Sequence, residues 1–217
     1  MIPILRNQIA SLAPHARREY LMAFDLAGDV LTKYLINATA LRVAHFVAQV
    51  MHETGGLTIL TESLNYSPKG LLDTFGEHRI SQADAEKYGR TPEHLADQRA
   101  IANIVYGGEF GRVQLGNTAP DDGWNLRGTG MLQMTGRESR KRIGAAIGVD
   151  LITNPDVALE PRNLLLCAAE EWNEKGCNVF ADRDKIETVT ERINGGRIGL
   201  ASRENWLNRT KKIWVYQ

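Results

Sequence analysis

The sequence predicts a mainly α-helical chain forming one domain over residues 1–217, and three observations carry that expectation. Apolar residues recur at helical spacing in segments whose ends are marked by capping residues and glycine pairs. Only two short stretches read as extended, and no internal repeat, low-complexity tract or Ser/Gly-rich linker divides the chain. A hydrophobic share of 43% supplies the core.

The clearest helix runs from Asn37 to Thr54. Asn37 is its expected cap, Leu41, His45, Ala48 and His52 recur at helical spacing, and Gly55-Gly56 stop it. The following stretch, Leu60 to Tyr66, reads as extended. A second helix is expected from Thr91 as cap and Pro92 at the first helical position, with Leu95, Ala102 and Val105 inward and Gly107-Gly108 closing it. Gly128 to Thr135 also looks extended, with Gly128 and Gly130 suited to a tight turn or close backbone approach, so a small sheet is expected there. A third helix follows Pro161, burying Leu164, Leu165, Leu166 and Trp172 before Gly176 ends it. Asp184 and Glu187 read as a variant capping box for a helix ending at Asn194-Gly195-Gly196. The last segment aligns Trp206, Thr210, Ile213 and Trp214 on one helical face.

Charge and composition exclude several classes. Twenty-six Lys plus Arg balance twenty-six Asp plus Glu, so no global field draws the protein to nucleic acid or to an anionic membrane. From Arg197 onward five basic residues face one acidic residue, Glu204, which gives a solvated basic face or a modest attraction to acidic cell-wall surface. Cys167 and Cys177 are too few for a disulfide framework and read as buried thiols. The N-terminus shows no secretory signal and no segment approaches the length of a membrane span, so cytoplasmic synthesis without stable membrane insertion is expected. His52-Glu53 lacks a second His four residues after His52, so no metal site or cofactor is indicated.

Two carboxylates attract attention. Glu53 falls in the last turn of the first helix, after apolar Val50 and Met51, where unpaired carbonyls disfavour a negative charge and favour a carboxyl able to donate a proton. Glu62 lies nine residues on, past the glycine turn, where the chain returns. Glycoside hydrolysis with inversion requires such a pair, one acid protonating the leaving oxygen and one base activating water, roughly 6.5 to 9.5 Å apart. On position and spacing alone, ordinary solvated side chains are the better reading.

The wider motif set goes further. His-Glu-Thr-Gly-Gly at 52–56, Leu-Arg-Gly-Thr-Gly-Met-Leu-Gln-Met-Thr-Gly-Arg at 126–137 and Ile-Asn-Gly-Gly at 193–196 occur in that order. Together they closely resemble the signature of family 19 glycoside hydrolases, the chitinases and phage endolysins of lysozyme-like fold, across residues 37 to 214. The segments 62–67 and 100–108 resemble the endolysin branch. The resemblance implies a bilobal, lysozyme-like helical domain with a small β element. It makes Glu53 the catalytic acid, Glu62 the base and Thr135 the hydroxyl that helps hold the attacking water. Gln133, Asn194, Arg203, Tyr66 and Ser67 become substrate-binding residues; Asn194 also reads as a helix C-cap. Ser139 and Arg140 depart from the family's usual Asn and Tyr, which alters one subsite.

Sixty-five positions separate Glu62 from Arg127, more than compact chitinases use, so residues 79–118 are expected to form a helical insertion beside the cleft, a candidate peptidoglycan-binding lobe. Arg79, Arg90, Arg99 and Arg112 are its candidates for meeting peptide carboxylates. The function expected is that of an endolysin hydrolysing β-1,4 bonds of peptidoglycan glycan strands as a monomer, made in the cytoplasm of a host bacterium and acting on the wall after release. A chitinase is the alternative. A non-catalytic glycan-binding protein is a second, against which the joint presence of Glu53, Glu62 and Thr135 argues.

Overall fold

The chain opens with three short helices, α1 (Arg6–Leu12), α2 (Arg18–Phe24) and α3 (Ala27–Lys33), followed by the long α4 (Ala40–Glu53), in a computed structural model that describes residues 1–216. Val43, Phe46, Val47, Val50 and Met51 of α4 are fully buried, as are His45 and Ala48 of the expected stripe, whereas Leu41 and His52 at its ends are only half-buried. The cap differs from expectation. Thr39 has the extended backbone an N-cap needs and accepts from Arg42 N at 3.2 Å. Asn37 instead lies buried in a 3-10 turn, Ile36–Ala38, with its amide donating to Thr32 Oγ1 at 3.0 Å. Beyond Glu53 the chain reverses sharply: Gly55, Gly56 and Leu57 all have positive φ, and Gly56 N donates to Met51 O at 2.7 Å.

A separate core forms next. Leu64 and residues of α5 (Pro68–Phe75), α6 (Gln82–Tyr88) and α7 (Gln98–Val105) enclose Leu71, Phe75, Ile80, Ala85, Ile101, Ala102 and Val105. The segment 79–118 therefore shares its core with α5, which precedes it. The helix expected from Thr91 begins only at Gln98, as α7, with Ala102 and Val105 inward as expected. Thr91 Oγ1 accepts from the amides of Glu93 and His94 in a turn, and Leu95 is 85% exposed rather than inward. Asp97 is the cap, accepting from Ala100 N at 3.0 Å, where its charge complements the helix start. After α7 come α8 (Gly108–Phe110), a π turn at Gly111–Leu115, and α9 (Asp122–Asn125), which docks on α7.

The expected small sheet is reduced to two isolated antiparallel bridges, Thr61 with Thr129 and Thr129 with Met134. Positive φ at Gly130 and Gln133 turns the chain out of strand geometry before a ladder can extend. Four helices complete the fold after α10 (Arg137–Ile147): α11 (Pro161–Glu174), α12 (Cys177–Ala181), α13 (Ile186–Asn194) and α14 (Leu200–Trp214). Pro161 opens α11 as expected, and the fully buried Trp172 meets Phe46 edge-on at 5.4 Å. Small Ala44 and Ala48 on α4 pack with Leu207 on α14, and Thr210 Oγ1 donates to Ala44 O at 2.9 Å.

Gly195, with φ 77°, ends α13 where expected, but no capping box starts it. Asp184 is turned away to other partners: its oxygens lie 2.8 Å from His45 Nε2 and 2.5 Å from Lys211 Nζ, tying the entry of α13 to α4 and α14. Lys211 and the buried Arg203 are thus committed internally, which removes two of the five residues from the expected basic face. Among the described residues no helix is long and apolar enough to cross a membrane.

Candidate active site

Glu53 is the last residue of α4, and its carboxylate is held from below. Arg203 on α14, itself 1% exposed, donates from Nη2 to Glu53 Oε1 at 2.5 Å and from Nη1 to the buried Gln49 Oε1. Its fork therefore binds one turn of α4 twice and leaves the Glu53 carboxylate, 16% exposed, at the surface of the cleft. Arg203, expected to touch substrate, lies behind the carboxylate instead. His52 Nδ1 sits 2.9 Å from Ser202 Oγ, and burial, followed by the nearby Arg203 charge, holds its pKa below the ordinary range. A neutral imidazole results. Gly199 passes so close that a Cβ there would lie 2.4 Å from the His52 ring, and with φ 73° the position favours glycine on both counts.

Glu62 is fixed by different groups. Gly128 N donates to Oε1 at 2.5 Å and the Tyr106 hydroxyl to Oε2 at 2.7 Å, while Glu62 N donates to Gly128 O at 2.9 Å. Tyr106 follows α7 and stacks in the small lobe, its ring 6.1 Å edge-on from Phe75 with the Arg79 guanidinium over it. Burial and then the Glu62 charge push the Tyr106 pKa far up, so the phenol keeps its proton and donates. Glu62 thus hangs between the 128–134 turn and the small lobe.

Gln133 links the two carboxylates. A Cβ added to Gly128 would lie 3.0 Å from Gln133 Oε1 and 3.2 Å from Glu62 Oε1, so both side chains flank the same backbone. Gln133 adopts φ 55°, unusual for this residue, held by its Nε2 donating to Gly130 O at 2.9 Å. Thr135 donates its hydroxyl proton to Gln133 O at 2.9 Å, leaving its oxygen lone pairs to accept from a water. Gln133, Thr135, Ser139, Asn194, Leu132 and Glu53 line one cavity of about 450 Å³. Asn194 is the last residue of α13 and lines the cavity, with Gly195 as the cap; its Oδ1 accepts from Gly196 N at 2.8 Å and its Nδ2 donates to Ile198 O at 3.1 Å, bracing the turn that follows. Ser139, one of the departures from the family pattern, donates to Thr135 O at 3.0 Å, and its neighbour Arg140 is buried beneath, bonded to Arg127 O.

Other expected residues lie outside that cavity. Ser67 caps α5, accepting from Gly70 N at 3.2 Å, and Tyr66 stacks edge-on with Phe75 at 5.6 Å, near enough to Glu62 for that charge to add to burial in raising its pKa. Arg79 donates twice to Val105 O beneath three aromatic rings, and Arg99 grips Asp121 with two nitrogens. Sequence reasoning missed Gln49 and Tyr106. It also missed Glu171, a buried carboxylate of α11 on the cavity wall, whose pKa burial raises against the opposing pull of Lys175, 3.1 Å away. Two carboxylates in separate settings, Glu53 in a cavity with a hydroxyl and two amides and Glu62 outside that lining but beside Gln133 at Gly128, suit proton donation to a glycosidic oxygen and activation of a water.

No family model matches the chain. A Haemophilus influenzae protein described as a glycosyl hydrolase family 19 domain-containing protein is 36% identical over 160 residues, covering 74% of this chain and 74% of that protein. Chitinase C from Streptomyces griseus superimposes with a TM-score of 0.64 at 19% identity, over 98% of this chain and 77% of that one. A bacterial family 19 chitinase gives 0.61 at 16% identity over 99% and 96%. The class IV chitinase of Zea mays gives 0.53 at 14% over 95% and 89%. At such identities these three establish a shared fold.

Proposed function

The chain belongs to glycoside hydrolase family 19, and from that premise we propose that it is an endolysin, cleaving β-1,4 glycosidic bonds of bacterial peptidoglycan with inversion. In this reading Glu53 donates a proton to the leaving oxygen. Glu62 takes one from a water that Thr135 helps to orient, and the water attacks the opposite face of the sugar. Gln133 and Asn194 hold sugar hydroxyls or N-acetyl groups. The observation that carries the reading is the separate anchoring of the two carboxylates: Glu53 by Arg203 in the large lobe, and Glu62 by Tyr106 and Gly128 on the other side. Each is held by donors from its own surroundings, and Glu53 keeps an open cavity before it, which is the kind of preorganisation a two-carboxylate reaction needs.

Chitin cleavage is the second reading, favoured by the three solved chitinases that share the fold. Against it stand the resemblance of 62–67 and 100–108 to endolysins and the helical lobe of α5 to α7 beside Glu62. Release from a phage-infected bacterium is the setting this reading supposes. Mass spectrometry of fragments released from purified peptidoglycan decides between the two, because the new reducing end names the bond cut. Muropeptides with a single type of reducing end are expected from the wild type and none from Glu53→Gln. Cleavage of chitin oligomers with peptidoglycan left intact would transfer the assignment to chitin.

A further inference from the structure

The cavity that begins at Glu53 and Thr135 ends in positive charge. Its lining includes Arg142 of α10, Lys175 at the end of α11 and Arg192 of α13. These three cations differ in how far they are already committed. Lys175 is fully engaged, with Nζ 3.1 Å from Glu171 Oε1 and 2.6 Å from Ile193 O. Arg142 touches Glu174 through a single nitrogen at 3.3 Å, and half of its side chain remains exposed. Arg192 rests 5.1 Å from the Phe180 ring centroid and, among the described residues, makes no ion pair. Two guanidinium groups on two helices therefore bring unspent donors to the cavity that holds the candidate acid.

Nothing in an N-acetylglucosamine polymer answers that charge, because the polymer is neutral. A peptidoglycan strand differs from it by peptide branches that bear free carboxylates. Guanidinium forks match carboxylates in geometry, with two parallel hydrogen bonds that a lysine cannot reproduce. The chain as a whole is electroneutral, so attraction of an anion here is a property of this wall and not of a global field. Glu171, the acidic group on the same wall, is paired with Lys175 and opposes an incoming anion little.

We propose that Arg142 and Arg192 form a subsite for a carboxylate of the peptide branch, seating the branched sugar of the strand next to Glu53. The proposal rests on the peptidoglycan reading above. It places peptide recognition on α10 and α13, in the cavity of Glu53, and not on Arg79 and Arg99 of the small lobe, which each bind an internal acceptor through two nitrogens and line no part of that cavity.

The test compares soluble glycan strands from purified peptidoglycan with intact peptides and the same strands with their peptide carboxylates converted to amides by carbodiimide coupling to ammonia, using wild type and an Arg142→Gln, Arg192→Gln double variant shown to unfold cooperatively. Wild type is expected to prefer intact strands by about tenfold in kcat/KM, the scale of one charge-assisted contact, and the double variant to bring that ratio close to one. Raising salt toward about 1 M, where the screening length falls to about 3 Å, should narrow the wild-type ratio in the same direction. A wild-type ratio near one, or a double variant that keeps the wild-type ratio, overturns the subsite. Wild type that cuts N-acetylglucosamine oligomers but neither kind of strand overturns the peptidoglycan reading itself, an outcome distinct from both.

Discussion

The hydroxyl of Tyr106 donates to Glu62 Oε2 at 2.7 Å, so the candidate base is held by a residue of the helical lobe and not only by its own turn. A hydrogen bond to a charged group contributes about 1.5–3 kcal/mol. Tyr106→Phe keeps the ring stacked against Phe75 and removes only the donor. It should lower kcat by roughly tenfold with little change in KM, because an unanchored carboxylate costs most in the transition state. Steady-state rates on soluble strands check this, and an unchanged kcat would remove Tyr106 from the positioning of the base.

Glu53→Gln should fold and lose at least about two orders of magnitude in wall lysis, the scale of a missing general acid. The amide still offers an oxygen to Arg203. Arg203→Lys is the companion, since an ammonium cannot span Gln49 and Glu53 as the guanidinium fork does. That variant should lose about 1–3 kcal/mol of stability by urea unfolding, the cost of leaving a buried partner unmet. Near-normal lysis by folded Glu53→Gln would end its assignment as the acid.

Thr135→Ala should reduce turnover more than substrate binding, because the water it accepts from matters only during attack. Thr135→Ser keeps the oxygen and the bond to Gln133 O, and should retain most of the activity. Equal rates for the alanine and serine variants would exclude the water-holding role. Early-time NMR of the product anomer should show inversion, and a retained configuration would contradict attack by water opposite the leaving group.

Glu171 gives a pH dependence with a defined sign. Burial raises its pKa in the folded protein above the unfolded value, so its contribution favours folding below the unfolded pKa and is lost as pH rises through the folded one. Glu171→Gln cannot titrate. The stability of wild type relative to this variant should therefore fall between about pH 4.5 and neutrality, measured by urea unfolding at each pH. A difference that stays level or grows across that window would show that Glu171 is not held in this way.

Much of the candidate site was legible because its motifs are local. The Glu53 helix end, the glycine reversal after it, the 128–135 turn and the Asn194-Gly195 stop are each specified by neighbours within a few residues. The failures were of two kinds. Short helices such as α5 and α6 span two turns, too few for periodicity to declare itself. At Thr91 and Asp184 a residue with the right chemistry for a cap found other work, a local turn in one case and His45 with Lys211 in the other.

The sequence by itself determined the helical class, the long helix that ends at Glu53 and the ordered motifs that mark the family. Tertiary structure alone decided which groups hold the two carboxylates, since Tyr106 stands 44 residues from Glu62 and Arg203 stands 150 from Glu53. It also decided that Arg203 lies beneath Glu53, that Arg79 and Arg99 bind Val105 and Asp121, and that Arg142 and Arg192 share the cavity of Glu53. The physical reason is one of range. Caps and helical stripes act over a few residues and are written in local order, whereas hydrogen bonds and ion pairs act over a few ångströms and depend on which distant segments the hydrophobic cores bring together.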